Sequence, residues 1–179
     1  VVATMHTSPD PGMRERTHML ARGLVDHIRR HGAAWALALL AAFLFRIQFT
    51  LGINASPSLP CHLFLIHRGE MPARDDYVAF RWAGGGPHRP GVTFVKILAG
   101  LPGDTVSAFD RTYFVNDRPV GIAKRTSLTG AHLEAGPVGT LPEDRYYVRA
   151  PHPDSLDSRY AITGWIPRDR IIGRAYALF

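Results

Sequence analysis

The sequence predicts a mainly β domain that follows one N-terminal helix able to cross a membrane. Residues 33–45 are apolar without interruption, whereas from residue 63 onward the apolar residues occur in short runs rich in aromatic and β-branched types. Glycine, proline and asparagine separate these runs, which is typical of β-strands joined by turns. A length of 179 residues allows one globular domain with a core and a short appendage.

The apolar run 33–45 needs extension to span a bilayer, because a crossing helix requires about 20 residues. Continuing to residue 52 supplies that length and includes Arg46, whose side chain can reach the membrane interface. Upstream, apolar residues at helical spacing between residues 13 and 30 predict a short amphipathic helix. A buried core helix and a cleaved signal peptide are the alternatives to an uncleaved anchor.

Basic residues before the apolar run predict the orientation of the chain. Arg29 and Arg30 flank it on the N-terminal side, which places that side in the cytoplasm by the positive-inside rule. We therefore expect residues 1–31 to be a basic cytoplasmic segment, residues 32–52 a transmembrane anchor, and residues 53–179 a domain outside the cytoplasm.

Charge and composition narrow the choice of partners. The formal net charge is +6, but the basic residues are scattered and are not interleaved with aromatic residues, so we expect a membrane surface rather than nucleic acid as the partner. The only cysteine, Cys61, excludes an internal disulfide and a multi-cysteine metal site. No motif indicates a metal or a cofactor.

Two turns and a long insertion organise the strand region. Pro102-Gly103 is typical of a type II turn, and Asn116-Asp117 indicates a hairpin. Residues 121–142 are rich in glycine and proline and are expected to form an extended insertion. The predicted strands are 63–66, 77–82, 93–98, 112–115, 119–120, 145–149 and 171–179, the last of which is expected to close the sheet.

Two serines, Ser56 and Ser58, lie in the loop that follows the apolar segment. Pro57 and Pro60 restrict the backbone on both sides of Ser58. A serine hydroxyl becomes a nucleophile only when a base takes its proton and nearby donors stabilise the oxyanion. On this stretch alone, an ordinary polar loop that follows the apolar helix is the favoured interpretation. His62 is close enough along the chain to be one candidate base.

Lys96 is the other candidate base, because its neighbours within residues 94–98 of the predicted strand are all apolar. A lysine on an apolar face reaches solvent, pairs with a carboxylate, or is buried with a depressed pKa. The alternative is a solvated lysine that protects an edge strand from aggregation.

Three segments in this order resemble the bacterial type I signal peptidases. They are SPSLP at residues 56–60, FVKILAGLPGD at residues 94–104, and SLDSRY at residues 155–160. The chain looks most like the TraF-type conjugative-transfer peptidases, because Pro60 stands two residues after Ser58. The resemblance covers residues 53–179 almost continuously.

The resemblance implies a signal-peptidase-like β-fold catalytic domain with a serine–lysine dyad. In it, Ser58 is the nucleophile and Lys96 the general base. The Ser56 hydroxyl and the Ser58 amide form the oxyanion hole. The supporting residues implied by the resemblance are Ser155, which orients the lysine, and the Asp157 and Arg159 pair.

The implied activity is that of a membrane-anchored endopeptidase that cleaves exported precursor proteins at the bacterial inner membrane, with its catalytic domain in the periplasm. Its substrates would be prepilin or another signal-peptide-bearing precursor, with pilin maturation and possible cyclisation as the role. Two alternatives are a general leader peptidase and a non-enzymatic single-pass assembly subunit. A soluble self-cleaving repressor with the same dyad would lack the apolar run.

Overall fold

The computed structural model describes residues 11–179, so the first part of the predicted cytoplasmic segment 1–31 lies outside the described chain. A helix, α1, covers Pro11–Gln48 and is interrupted at His31, whose φ and ψ of −117° and 15° are not helical. The most apolar 18 residues within its segment Arg22–Gln48 have a mean hydropathy of 1.3, and none of them is buried. By length and composition this segment is able to cross a membrane.

The helix ends at Gln48, before the end predicted for the anchor at residue 52. Phe49–Ile53 form a strand, β1, instead of a last helical turn. Aromatic and β-branched residues such as Phe49, Thr50 and Ile53 favour strands, and β1 finds a partner strand in Leu63–Arg68, with Phe49 opposite His67. The backbone groups of residues 49–53 are therefore satisfied by a sheet rather than by the helix.

The described chain divides into two compact units, one that ends at residue 46 and one that covers residues 47–179, and the second holds all the described strands. These are β1 (Phe49–Ile53), β2 (Leu63–Arg68), β3 (Tyr77–Arg81), β4 (Thr93–Gly100), β5 (Thr105–Phe109), β6 (Thr112–Val115), β7 (Arg118–Ile122), β8 (Gly139–Thr140), β9 (Arg145–Arg149), β10 (Ile166–Pro167) and β11 (Ile171–Ala177). The prediction of a mainly β fold with one N-terminal apolar helix is confirmed.

The strands form two antiparallel sheets. The larger has the order β1-β2-β11-β3-β4-β9-β10 and the smaller has the order β7-β6-β5-β8. The C-terminal strand β11, which was expected to close the sheet, lies inside it between β2 and β3. Strand β4 lies between β3 and β9, so Lys96 is not on an edge strand.

An apolar core joins the two sheets. Val106 and Tyr113 of the smaller sheet pack in one cluster with Tyr147 of β9 and with Leu141. Strand β5, which contributes Val106, was not predicted from the sequence. Its other residues are exposed. A strand with one buried residue has no continuous apolar run, which is the pattern by which buried strands are recognised in a sequence.

The two predicted turns are confirmed. Gly103 has a φ of 86°, and the Asp104 N–H donates to the Leu101 carbonyl at 3.0 Å, as in a type II turn. The Asp104 carboxylate also accepts from the Leu101 N–H at 2.6 Å, which fixes the turn directly after β4. Asn116 and Asp117 both have positive φ angles, 45° and 62°, as a two-residue hairpin between β6 and β7 requires.

The predicted insertion 121–142 contains the end of β7, the short β8 and isolated bridges. Arg111 holds it by donating to the carbonyls of Ala123, Lys124 and Leu133. At its far end the Gly136 N–H donates to the Arg159 carbonyl at 2.8 Å. A Cβ atom on Gly136 would collide with the Ser158 carbonyl, so only glycine allows this close approach.

Candidate active site

Asn54 organises the loop that carries the two candidate serines. Its side-chain amide donates to the Cys61 carbonyl at 3.2 Å, and its backbone N–H donates to the His62 carbonyl at 2.8 Å. Its side-chain oxygen accepts from the Ser56 N–H at 3.3 Å and from the Ser56 hydroxyl at 2.9 Å. This asparagine therefore joins both ends of the loop and orients Ser56.

Ser58 is brought to both of the groups that the sequence predicted for it. Its Oγ lies 2.8 Å from Ser56 Oγ, and the Lys96 Nζ donates to it at 3.0 Å. Ser58 is 4% exposed, and the next residue, Leu59, is buried in an apolar cluster that also contains Val95 of β4. Burial of Leu59 against the lysine-bearing strand explains how a loop serine is held against a residue 38 positions further along the chain.

Lys96 is buried, with 5% of its surface exposed. It lies opposite Val78 in the sheet, and its ammonium nitrogen is 5.6 Å from the centre of the Phe94 ring. Burial lowers the pKa of Lys96 from 10.5 to about 8; the charge of Asp157 opposes this shift and that of Arg159 reinforces it. The alternative of a solvated edge-strand lysine is therefore wrong for Lys96.

Asp157 and Arg159 form a buried ion pair next to this site. The Arg159 Nε and Nη2 donate to the two carboxylate oxygens at 2.7 and 2.8 Å, and the Ala150 N–H donates to Asp157 at 2.9 Å. Arg159 also donates to the Ile122 carbonyl of β7 at 2.9 Å. Burial by itself lowers the pKa of Arg159, but the hydrogen bond and the charge of Asp157 outweigh it, so the pKa lies above its ordinary value.

Ser155, the residue expected to orient the lysine, is buried but does not bond to it. Its side-chain oxygen has no hydrogen-bond partner within the described chain. Ser158, in contrast, accepts a hydrogen bond from the Val148 N–H at 3.0 Å through its hydroxyl. The structure therefore brings together Ser56, Ser58 and Lys96, with the Asp157 and Arg159 pair close enough to influence the pKa of the lysine, and leaves the Ser155 hydroxyl free to take a partner.

His62 does not act on the serine in this arrangement. Its Nδ1 lies 3.1 Å from the Asn54 carbonyl oxygen, and its side chain is exposed. Among residues 11–179, no group of three or more histidine, cysteine, aspartate or glutamate side chains is placed to bind a metal ion. The titratable side chain in contact with Ser58 is that of Lys96.

The role of Asn54 was missed from the sequence. The available signal was an asparagine two residues before a serine, a spacing at which the side chain can bond the backbone two residues on. Its bonds to Cys61 and His62 depend on how the loop closes, which the sequence does not reveal.

Comparison with known proteins agrees with this geometry. The family described as "Signal peptidase, peptidase S26" matches residues 24–179. Signal peptidase I of Bacillus licheniformis is 35% identical over 97 residues, covering 49% of this chain and 51% of the relative. Signal peptidase I of Pseudomonas fluorescens is 27% identical over 143 residues, covering 60% of this chain and 49% of the relative.

One solved structure is also similar. It is a signal peptidase I from Enterococcus faecalis V583, with a TM-score of 0.40 and 30% sequence identity, covering 62% of this chain and 98% of the other. The chain spans about half the length, or less, of the curated relatives that it matches. Since the family match covers most of the sequence and includes the serine loop, Lys96 and the buried ion pair, this chain belongs to the signal peptidase family, peptidase S26.

Proposed function

We propose that this protein is a membrane-anchored serine–lysine endopeptidase that removes signal peptides from exported precursors. The observation that carries the proposal is the contact of 3.0 Å between Lys96 Nζ and Ser58 Oγ, made by a lysine whose pKa is lowered to about 8. A lysine with this pKa is partly neutral near neutral pH and can accept a proton, whereas an ordinary lysine cannot. Membership of the signal peptidase family supports the same chemistry.

In the first step, neutral Lys96 takes the proton of the Ser58 hydroxyl, and Ser58 Oγ attacks the carbonyl carbon of the scissile bond. The Ser56 hydroxyl, 2.8 Å from Ser58 Oγ, turns its proton toward the new oxyanion. The Ser58 N–H is the second donor.

In the second step, protonated Lys96 donates its proton to the leaving amine, and the C–N bond breaks. This leaves an ester between Ser58 and the substrate. A water molecule, deprotonated by Lys96, then attacks the ester. The bond between the acyl carbon and Ser58 Oγ breaks, and Lys96 returns the proton to Ser58 Oγ, which frees the serine and the carboxyl product.

The residues around the dyad would act through it. Ser155 is buried and its hydroxyl is unpartnered within the described chain, so it can accept a hydrogen bond from the Lys96 amine or bind the incoming water. The Asp157 and Arg159 pair holds the segment 155–160 in place, because it joins this segment to Ala150 and to the Ile122 carbonyl.

The proposed location follows from the helix. Residues 1–31 would lie in the cytoplasm, and residues 32–48 would anchor the chain in the lipid of the bacterial inner membrane by a single pass. Residues 49–179 would form the periplasmic catalytic domain, because residues 49–53 pair with β2 in its sheet. A span of suitable length and hydropathy, Arg22–Gln48, supports this arrangement. Membrane-tethered precursors would then present their cleavage sites close to the enzyme.

A second candidate function is maturation of a conjugative pilin, as in the TraF-type enzymes. The observation in its favour is Pro60, two residues after Ser58. In this case the acyl-enzyme would be resolved either by water or by an amine of the pilin itself, which would give a cyclic product.

The proposal is tested with the full-length chain in membranes and a signal-peptide-bearing precursor, by following the precursor mass in wild type, Ser58→Ala and Lys96→Met. We expect cleavage by the wild type and a loss of at least about 10²-fold in rate for each variant. Unchanged cleavage in both variants would contradict the dyad, and no cleavage by the wild type of any precursor would favour the non-enzymatic assembly subunit. With prepilin as substrate, a product lighter than the linear peptide by one water identifies cyclisation.

A further inference from the structure

A cavity of about 170 Å³ lies where the two sheets meet, apart from the serine loop. Three arginines from different parts of the chain line it: Arg74 from the turn before β3, Arg118 from the start of β7, and Arg149 from the end of β9. Asp75 is the one carboxylate in its lining, and Asn116 adds an amide. The cavity therefore gathers more positive than negative charge.

Arg74 is the fixed part of this cavity. Its guanidinium donates to the Ala99 carbonyl at 2.8 Å and to Asp104 at 2.7 and 2.9 Å. Burial by itself raises the pKa of Asp104, but hydrogen bonds from Arg74, Leu101 and Asn116 outweigh it and keep this carboxyl ionised. Arg74 thus has its own counter-ion, and its position does not depend on a ligand.

Arg118 and Arg149 have a much looser partner. Both approach Asp75, but their nitrogens lie 3.5 and 3.9 Å from its two carboxylate oxygens. Charge-assisted hydrogen bonds between arginine and a carboxylate are usually about 2.7–2.9 Å long. Two guanidinium groups therefore converge on one carboxylate without forming a close bond to it.

The backbone of Asp75 is fixed at one side of this cavity. Its N–H donates to the Leu98 carbonyl at 2.8 Å, and its φ is 67°, so the residue is held in a left-handed conformation next to β4. From this position its carboxylate lies between the two guanidinium groups; the side chain of Arg118 is 71% exposed and that of Arg149 is 31% exposed. An anion with more oxygens and more negative charge than a carboxylate can form hydrogen bonds to both guanidinium groups at once.

We infer that this cavity binds a phosphate-class oxyanion between Arg118 and Arg149. The volume suits such a ligand, because 170 Å³ far exceeds the roughly 10–15 Å³ that a cavity needs to hold one water molecule. An arginine side chain can bind two phosphate oxygens at once. The half-exposed Asp75 carboxylate shows that the space next to Arg118 accepts a negative charge. The ligand comes either from solution, as inorganic phosphate, or from the phosphate headgroup of an anionic lipid.

The test uses the full-length chain in an uncharged maltoside detergent, titrated calorimetrically with sodium phosphate and, as a reference, with sodium chloride at equal ionic strength. The variants are Arg118→Met, which removes one arm of the site, and Asp75→Asn, which removes the internal competitor. Asparagine tolerates the positive φ of residue 75, so the fold is kept. Arg81→Met, an exposed arginine at the end of β3, is the matched control, and thermal unfolding checks that each variant is folded.

We expect phosphate binding by the wild type, about tenfold weaker binding by Arg118→Met and several-fold tighter binding by Asp75→Asn, with Arg81→Met unchanged. A hydrogen bond to a charged group contributes roughly a factor of ten or more to an equilibrium constant. Phosphate heats equal to those of chloride, or equal affinities in all folded variants, would overturn the inference. The readout is binding, so it is independent of the proposed peptidase activity.

A second arm separates the two sources of phosphate. Short-chain phosphatidic acid or short-chain phosphatidylcholine is added to the same micelles before the titration. Displacement of phosphate by phosphatidic acid alone assigns the site to a lipid headgroup with an exposed phosphate. Undiminished phosphate binding in both micelles assigns it to the soluble anion.

Discussion

Lys96 and Arg159 are two buried basic residues close to one site, and their pKa values are shifted in opposite directions. Arg159 has a two-pronged bond to Asp157 and further bonds to backbone carbonyls, so its pKa is raised. Lys96 has a serine hydroxyl as its hydrogen-bond partner, and its pKa is lowered to about 8. Burial lowers the pKa of both groups; a carboxylate in direct contact reverses the effect for one of them only.

The difference separates a residue that holds structure from one that can move a proton. A buried cation with a complete set of partners stays charged and is costly to disturb. A buried cation without a carboxylate partner releases its proton easily and becomes a base. The proposed site therefore contains a buried ion pair, Asp157 and Arg159, and a lysine whose pKa allows it to release a proton.

The largest expected effect comes from breaking the buried ion pair. Asp157→Asn leaves the Arg159 charge buried without its counter-ion, and we expect it to lower the free energy of unfolding by about 3–5 kcal/mol. Denaturant unfolding followed by tryptophan fluorescence measures this loss. Asp144→Asn is the matched control, because its partner Arg145 and Asp144 itself are solvent-exposed and such pairs contribute less than about 1 kcal/mol. Equal losses of unfolding free energy in Asp157→Asn and Asp144→Asn would show that the buried pair contributes no more to stability than the exposed pair.

The second prediction concerns Lys96 and pH. Because the folded pKa of Lys96 is about 8 and its ordinary value is 10.5, the unfolded chain binds more protons between these pH values. The contribution of Lys96 to stability therefore rises with pH across this window, and below pH 8 its burial costs about 3 kcal/mol. The unfolding free energy of Lys96→Met should lack this pH dependence. The amount by which it exceeds that of the wild type should therefore shrink as the pH rises from 8 to 10.5.

Unfolding free energies of wild type, Lys96→Met and Ser58→Ala at several pH values measure this slope. Ser58→Ala is the control, because it keeps the buried lysine and should keep the pH dependence. Parallel curves for the wild type and Lys96→Met would show that Lys96 titrates normally. In the wild type, peptidase activity should rise with pH through about 8, as neutral Lys96 becomes the base.

The smallest effect is expected for Asn54, which orients the Ser56 hydroxyl without touching Ser58. Asn54→Ala should lower kcat by roughly tenfold with little change in KM, because Ser56 loses the acceptor that positions it. Ser56→Ala should cost more, about 10²–10³-fold, since it removes the oxyanion donor itself. In the Ser56→Ala background, Asn54→Ala should have little further effect. Independent, additive losses would mean that Asn54 does not act through Ser56.

Much of the fold was predictable because its signals are local. The turn at Pro102-Gly103, the hairpin at Asn116-Asp117 and the strand 145–149 depend on neighbouring residues, and all three were found as predicted. Strand β1 was not predicted, because residues 49–53 continue an apolar run and become a strand only through pairing with β2. Strand β5 was missed because Val106 is its one buried residue and the other four are exposed.

By itself, the sequence determined an apolar helix, a set of short strands, the turns between them, and the order of the serine, lysine and aspartate motifs. Only the tertiary structure decided that Lys96 is buried beside Ser58, that Asp157 bonds Arg159 rather than the lysine, and that three arginines share a cavity. The physical reason is the separation along the chain of the residues that interact. Turn and strand preferences arise between neighbours in the chain, whereas a pKa depends on burial and on charges brought together from distant segments.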